Sequence, residues 1–354
     1  MSRKVSVDWE SVQRDLGGKD FTDLELAELA GVSNNTVRNA RNQNPMQRKT
    51  ALKVVTATGI RNPHSYLSAV GANGSTSQAI LGSFLHDWEI EEKVIERNEF
   101  RNIPYKVAKG THRTNERVGR IKVFDLSDFG DDVIELLEMS LARNPIVCAK
   151  LERHPNIALF YENGFATQDK YWAIEKWEDV STLENAVLDG ILTREKVPKL
   201  AMDLASTLNA INKVGIVRRC LSPRNICIRE DGSLLLRDFE LSTFAQGSIS
   251  GPLDFDPNPF YAPEFNHPQK DIDVRADLYS WAQVVTFCIT GKRPQTNYEH
   301  SFWDRLPVPK AVGKVLETCT QPTREFRTLV PKSKKEKSDF EDVLELISDW
   351  SAES

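Results

Sequence analysis

Three short segments, in this order, restrict what the chain can fold into more than any other feature. They are Val217-Arg218-Arg219-Cys220-Leu221-Ser222-Pro223-Arg224-Asn225-Ile226, Arg237-Asp238-Phe239-Glu240 and Tyr261-Ala262-Pro263-Glu264. Cys220 stands in the middle of the first segment. A free thiol titrates near about 8.5, so at neutral pH it is mostly un-ionised, and sulfur accepts hydrogen bonds poorly.

The chain has 354 residues, room for two or three domains. Its composition, 40% hydrophobic and 27% charged, is that of an ordinary globular protein. No apolar run approaches the roughly 18 residues that read as a membrane span. The start, Met1-Ser2-Arg3-Lys4-Val5, leads into polar residues and not a secretory core. A cytoplasmic protein without a membrane partner is expected. The cysteines, Cys148, Cys220, Cys227, Cys288 and Cys319, are scattered and no two are spaced as a zinc ribbon requires. Buried, reduced thiols are expected.

Charge is unevenly placed. No acidic residue lies between Glu28 and Asp87, a stretch that carries Arg38, Arg41, Arg48, Lys49, Lys53 and Arg61. The whole chain stands at −5. A basic segment on an acidic protein implies an anionic partner for that segment alone.

Three regions follow. Residues 1–67 read as helical and compact. Residues 68–81 are small and polar and read as a linker. Residues 82–354 carry strand-like runs first, at Trp88–Ile95, Gly119–Phe124 and Tyr171–Ile174. Helical patterns follow, at Asp131–Arg143 and Pro198–Asn212. Ser338-Asp339-Phe340-Glu341 has the form of a capping box ahead of a last helix.

Phe21 to Arg38 is similar to a helix-turn-helix of the phage-repressor type. Thr22 and Ser33 suit the two N-caps. Ala27 is small where helices approach, and Gly31 suits a turn of positive φ. The resemblance covers roughly residues 20–67 and implies binding to double-stranded DNA through residues 22–53. Asn34, Asn35, Arg38 and Arg41 would then face bases, and Lys49, with Arg48 and Lys53, the phosphates. Such proteins often pair on two-fold sites, so a homodimer on DNA is also implied. The competing reading is a small helical bundle used for protein contact.

The three opening segments resemble the His-Arg-Asp, Asp-Phe-Gly and Ala-Pro-Glu motifs of Ser/Thr protein kinases. The resemblance covers nearly all of residues 82–350. It implies an α+β chain: an all-α helix-turn-helix domain, then a two-lobed kinase-like domain, small lobe about 82–177 and large lobe about 178–354. It implies ATP and Mg2+ as cofactors and a protein as substrate or partner.

Residue by residue, Lys122 in Arg120-Ile121-Lys122-Val123 matches the phosphate-holding Lys of Val-Ala-Ile-Lys. Glu175 falls in the hinge, Ala173–Trp177, where backbone groups would meet adenine. Asn225 and Asp238 match the metal ligands, and Arg219 the Arg that pairs with a phosphorylated activation segment. Asp277 matches an Asp that braces the catalytic loop, and Glu264 is expected to pair with Arg327.

The departures are equally specific. Cys220 replaces the catalytic Asp, and Glu240 the Gly of Asp-Phe-Gly. Residues 95–103 match the glycine-rich loop without a glycine. The helix Glu that pairs with Lys122 falls at Pro145, expected to break a helix, with Glu138 or Glu135 as substitutes. Ser242, Thr243, Ser248 and Ser250 are candidate modification sites. Three functions remain open at this point. One is a DNA-associated regulator with an impaired kinase-like domain, and another is a working atypical Ser/Thr kinase brought to DNA. The third is a scaffold.

Overall fold

The computed structural model describes residues 4–16, 21–44, 46–59, 67–69, 85, 87–100, 103–127, 129, 134, 137–138, 140–152, 154–167, 170–240, 242–244, 258–266, 272–295, 297–329 and 338–352. They fall into two compact units, residues 1–134 with 161–177, and residues 135–160 with 178–354.

The first unit begins with β1 (Lys4–Val7) and α1 (Trp9–Asp15), followed by α2 (Asp23–Ala30), α3 (Asn34–Arg41), β2 (Met46–Gln47), α4 (Arg48–Ala57) and β3 (Leu67–Ala69). Thr22 and Glu25 form a reciprocal capping box at the start of α2, which satisfies two otherwise orphaned N–H groups. Gly31 ends α2 with φ of 62°, a left-handed turn that a side chain would strain. Ser33 then caps α3 by accepting from Thr36 N–H. Val37 and Ala40 turn inward beside Leu26, Ala27, Val54 and Val55, and Trp9 and Val12 complete this small core.

The all-α expectation for this region is corrected. β1 lies between β2 and β3 in a three-stranded antiparallel sheet. Ser68 and Ala69, assigned from sequence to the linker, are in β3 and pair with β1. The rest of that linker, 70–81, lies outside the described residues.

The same unit holds β4 (Trp88–Phe100), β5 (Ile103–His112), β6 (Val118–Asp125), β7 (Phe160–Thr167) and β8 (Lys170–Lys176), in sheet order β4-β5-β6-β8-β7. β4 and β5 stay paired to their ends, Phe100 opposite Ile103. The stretch expected to be a glycine-rich loop is therefore mostly hairpin strand. Arg101 and Asn102, and the side chains of 96–100, lie outside the described residues. Gly119 has a packing reason: a Cβ there would lie 2.7 Å from both Trp88 and Ile174. The Trp88 indole donates to Glu162 at 2.6 Å, so its polar edge is satisfied while the ring packs.

The second unit contains α5 (Arg143–Lys150), β9 (Val180–Thr182), α6 (Leu183–Leu188), α7 (Val197–Lys213), β10 (Ile216–Val217), β11 (Ile226–Arg229), β12 (Leu234–Leu236) and β13 (Thr243–Phe244), then α8 (Val274–Thr290), α9 (His300–Asp304), α10 (Lys310–Cys319), α11 (Asp339–Leu346) and α12 (Ser348–Ala352). α7 and α8 form its centre, and α8 is buried from Ala276 to Ile289. Such a helix is largely apolar on every side because it has little solvent face, and its buried Asp277, Gln283 and Thr286 form hydrogen bonds. Trp281 donates to the Ala201 carbonyl, joining α8 to α7 at 3.1 Å. Ser338 and Glu341 cap α11 reciprocally. Pro145 does not break a helix: it lies in the first turn of α5, where its missing N–H costs no helical bond. Glu135 lies outside the described residues, and Glu138 is half-buried. Among the described residues no helix is long and apolar enough to cross a membrane.

Candidate functional site

In the second unit, side chains hold the backbone of the loop after β10. Asn225 Nδ2 donates to the Cys220 carbonyl at 2.7 Å, and Asn225 Oδ1 accepts from Ser222 N–H at 3.0 Å. Asp277, buried on α8, accepts from the N–H groups of Arg218 and Arg219, both at 2.8 Å, and from Asn212 Nδ2 at 3.2 Å. Burial pushes the Asp277 carboxyl up to about 7, against the downward pull of those two N–H donors and the adjoining guanidinium groups. Arg219 has φ of 66°, a conformation costly for a side-chain residue. The bond to Asp277 holds it there.

Cys220 is at the place expected, but its side chain is buried with Ala262, Phe265, Ala276 and Tyr279 in an apolar cluster. The Arg219 guanidinium lies over Phe265, 5.2 Å from the ring centre, and burial lowers its pKa.

Asn225 and Asp238 are both half-buried. Arg237 N–H reaches the Asn225 carbonyl at 3.4 Å just beyond the β11–β12 pair, which brings Asp238, the next residue, near Asn225 in the fold. Two oxygen-bearing side chains at adjacent strand ends fit a divalent cation. Asp238 has φ of 64°, and the segment around it is pinned. Arg218 donates to the Arg237 carbonyl at 2.9 Å, and its guanidinium lies over Phe239 at 4.5 Å. Asn144 on α5 accepts from Phe239 N–H at 3.1 Å. Glu240 is buried. Ser242 is buried too, its hydroxyl turned to the Arg218 carbonyl, so it is not accessible for modification. Ser248 and Ser250, and the Thr243 side chain, lie outside the described residues. Glu264 and Arg327 meet as a buried two-pronged pair, 2.7 and 2.9 Å.

In the first unit, Lys122 is on β6, opposite Val107 and Ala173. It is only 3% exposed, and its ammonium lies 4.8 Å from the Tyr105 ring and 5.3 Å from Phe124. Glu175 is opposite Arg120 and pairs with it at 3.4 Å, both side chains buried. Side chains two apart on a strand share a face, so this ion pair and Lys122 are neighbours on one face. A buried ion pair and a ring-bound ammonium do not fit a nucleotide, which needs a largely apolar slot for its base beside a cation for its phosphates.

On α3, Asn34, Asn35, Arg38 and Asn39 are exposed. Arg38 also touches Asp23 at 3.2 Å. Arg41 departs from the expectation of a base-facing residue. It is half-buried, pairs with Asp23 at 2.9 Å, donates to the Phe21 carbonyl and stacks on Trp9. Its charge holds this module together. The Lys49 side chain lies outside the described residues.

Sequence reasoning missed Arg120, Arg218 and Asn144. Arg120 was readable from strand alternation with Lys122, and Arg218 from its place in the first segment. Asn144 had no signal, since its partner is 95 residues away.

The family model described as a protein kinase domain matches residues 105–347. The chain is 29% identical over 175 residues to sperm motility kinase Tcr mutant form of Mus musculus, covering 48% of this chain and 34% of that protein. It is 24% identical over 235 residues to the probable serine/threonine-protein kinase PknB of Corynebacterium glutamicum, covering 61% and 35%. A probable serine/threonine-protein kinase of Dictyostelium discoideum is 23% identical over 267 residues, covering 74% and 19%. The chain thus spans about a third or less of the length of these relatives.

Proposed function

The chain belongs to the protein kinase family, and we propose that it is a DNA-associated regulator whose kinase-like domain is catalytically impaired. The observation that carries the second half is Cys220. A kinase base must meet a substrate hydroxyl and accept its proton, and an Asp does so as an ionised carboxylate. Here that position holds a thiol packed among Ala262, Phe265, Ala276 and Tyr279. Loss of a positioned base costs about 10²–10⁴ in rate. Protein kinase domains generally bind ATP and Mg2+. Asn225 and Asp238 are the residues that would hold the metal.

DNA association is supported by the exposed Asn34, Asn35 and Arg38 on a capped α3 and by the acid-free stretch around them. Asn pairs with adenine and Arg with guanine in the major groove. Double-stranded DNA would be bound through residues 22–53, by two copies where the site is two-fold. The second domain would dock a protein and so modulate DNA binding.

A second reading is an active atypical Ser/Thr kinase localised to DNA. It is favoured by the intact brace of Asp277 on the catalytic loop and by the adjacency of Asn225 and Asp238. The test uses the full chain. Gel shifts on duplexes selected from a random library should give binding that weakens steeply with salt, while phosphate transfer from labelled ATP should not exceed that of Asp238→Ala. Salt-independent or absent DNA binding would remove the first half, and transfer that depends on Asp238 would replace the second half by the active kinase.

A further inference from the structure

We infer that the sheet face carrying Lys122 is filled by its own side chains, so that this kinase-family domain excludes nucleotide; this rests on the regulator reading above and makes it specific.

Strand register sets three rows on that face. Tyr105, Phe124 and Tyr171 form one row, Val107, Lys122 and Ala173 the next, and Lys109, Arg120 and Glu175 the third. All but Lys109 are buried. The first row is continuous aromatic packing, with ring centres 5.2 Å apart for Tyr105–Phe124 and 5.9 Å for Phe124–Tyr171. The Lys122 ammonium lies over two of these rings. A desolvated cation on an aromatic face is held there by the ring quadrupole, so its charge is already engaged where a phosphate would need it.

The third row is a charge pair. In the Val-Ala-Ile-Lys motif the residue two before the Lys is a small Ala. Here it is Arg120, which shares the Lys face and meets Glu175. Phosphates at Lys122 oblige the base to lie along the neighbouring rows, one of which is rings and the other a buried ion pair. Displacing either member of that pair breaks a buried ion pair, which is costly. The two charges fill the slot and pair with each other, leaving no apolar surface there for a purine.

The test removes both charges together. Isothermal titration with MgATP should show no binding to the wild-type chain at millimolar nucleotide. Arg120→Ala/Glu175→Leu should show measurable binding, with a Kd at least about tenfold below the millimolar limit set by wild type. Covalent labelling gives an arm that needs no variant. With an acyl phosphate of ATP, the Lys122 amine would attack the acyl carbon, form an amide and expel ATP as the amine proton leaves to solvent. Wild-type Lys122 should stay unlabelled. Micromolar MgATP binding by wild type, ATP-competed labelling of Lys122, or a folded double variant with no gain in binding would each overturn the inference. Wild-type binding without phosphate transfer would sink it and leave the regulator reading standing. Asp238-dependent transfer would sink both.

Discussion

Removing the carboxylate of Glu264 should destabilise the second unit about as much as removing the whole ion pair. The Arg327 guanidinium is inaccessible to solvent, donates to both Glu264 oxygens at 2.7 and 2.9 Å, and lies 4.8 Å from the Tyr279 ring centre. It also donates to the carbonyls of Gln321, Pro322 and Arg275, at 2.7, 3.0 and 3.2 Å. Glu264→Gln keeps the shape but leaves the cation buried with carbonyl dipoles alone. Breaking a buried pair in this way costs about 3–5 kcal/mol, and the three remaining carbonyls place this variant near the lower end. Arg327→Met leaves Glu264 charged and frees three acceptors at about 1 kcal/mol each, so it belongs at the upper end. With both replaced, the charge penalties vanish and only the carbonyl losses remain. The single substitutions together cost about 8 kcal/mol against about 3 kcal/mol for the double, a coupling of about 5 kcal/mol that lies well outside the additivity of independent sites. Urea unfolding of the four proteins measures it. Single substitutions costing under about 1 kcal/mol, or effects that simply add, would refute the reasoning.

Asp277→Ala orphans the buried N–H groups of Arg218 and Arg219; at about 1–3 kcal/mol for each unsatisfied donor, thermal melts should show a loss of about 2–6 kcal/mol. Arg38→Ala should weaken duplex DNA binding by about 1–3 kcal/mol in gel-shift titration if it reads a base, with little effect on stability. Arg41→Ala should do the reverse in part, lowering the melting temperature because the Phe21 carbonyl and Trp9 lose their partner and Asp23 is left with Arg38 alone. Glu341 supplies a pH test: the Lys213 side chain and Ser338 N–H hold its carboxyl at about 2, below its usual value of 4.5. A lowered carboxylate contributes stability above the unfolded pKa and loses it as pH falls. The difference between wild type and Glu341→Gln should therefore be constant at neutral pH and shrink as pH falls from 4.5 toward 2, followed by urea unfolding.

Local features were legible in the sequence where their causes are local. Thr22, Gly31, Ser33 and Ser338 are helix-boundary signals, and each sits at a helix end. The runs at Trp88, Gly119 and Tyr171 are strands because their alternation is contained within one segment. What could not be read depends on distant partners. β1 is four residues long and makes sense only against Met46–Gln47 and Leu67–Ala69. The substitution at Cys220 was visible, but its turn into an apolar cluster was not, because Phe265, Ala276 and Tyr279 come from far downstream. Pro145 was misjudged because a proline breaks a helix only after its first turn, and the start of α5 was not visible. Arg120 looked like an ordinary strand cation until the register placed it against Glu175.

The most direct test of the central claim is phosphate transfer from labelled ATP to the chain itself and to a generic protein substrate, with Mg2+ or Mn2+, beside Asp238→Ala. A family member whose base position holds a buried thiol should transfer no more label than that control. Transfer that is clear in wild type and lost in Asp238→Ala would contradict the account and establish a working kinase.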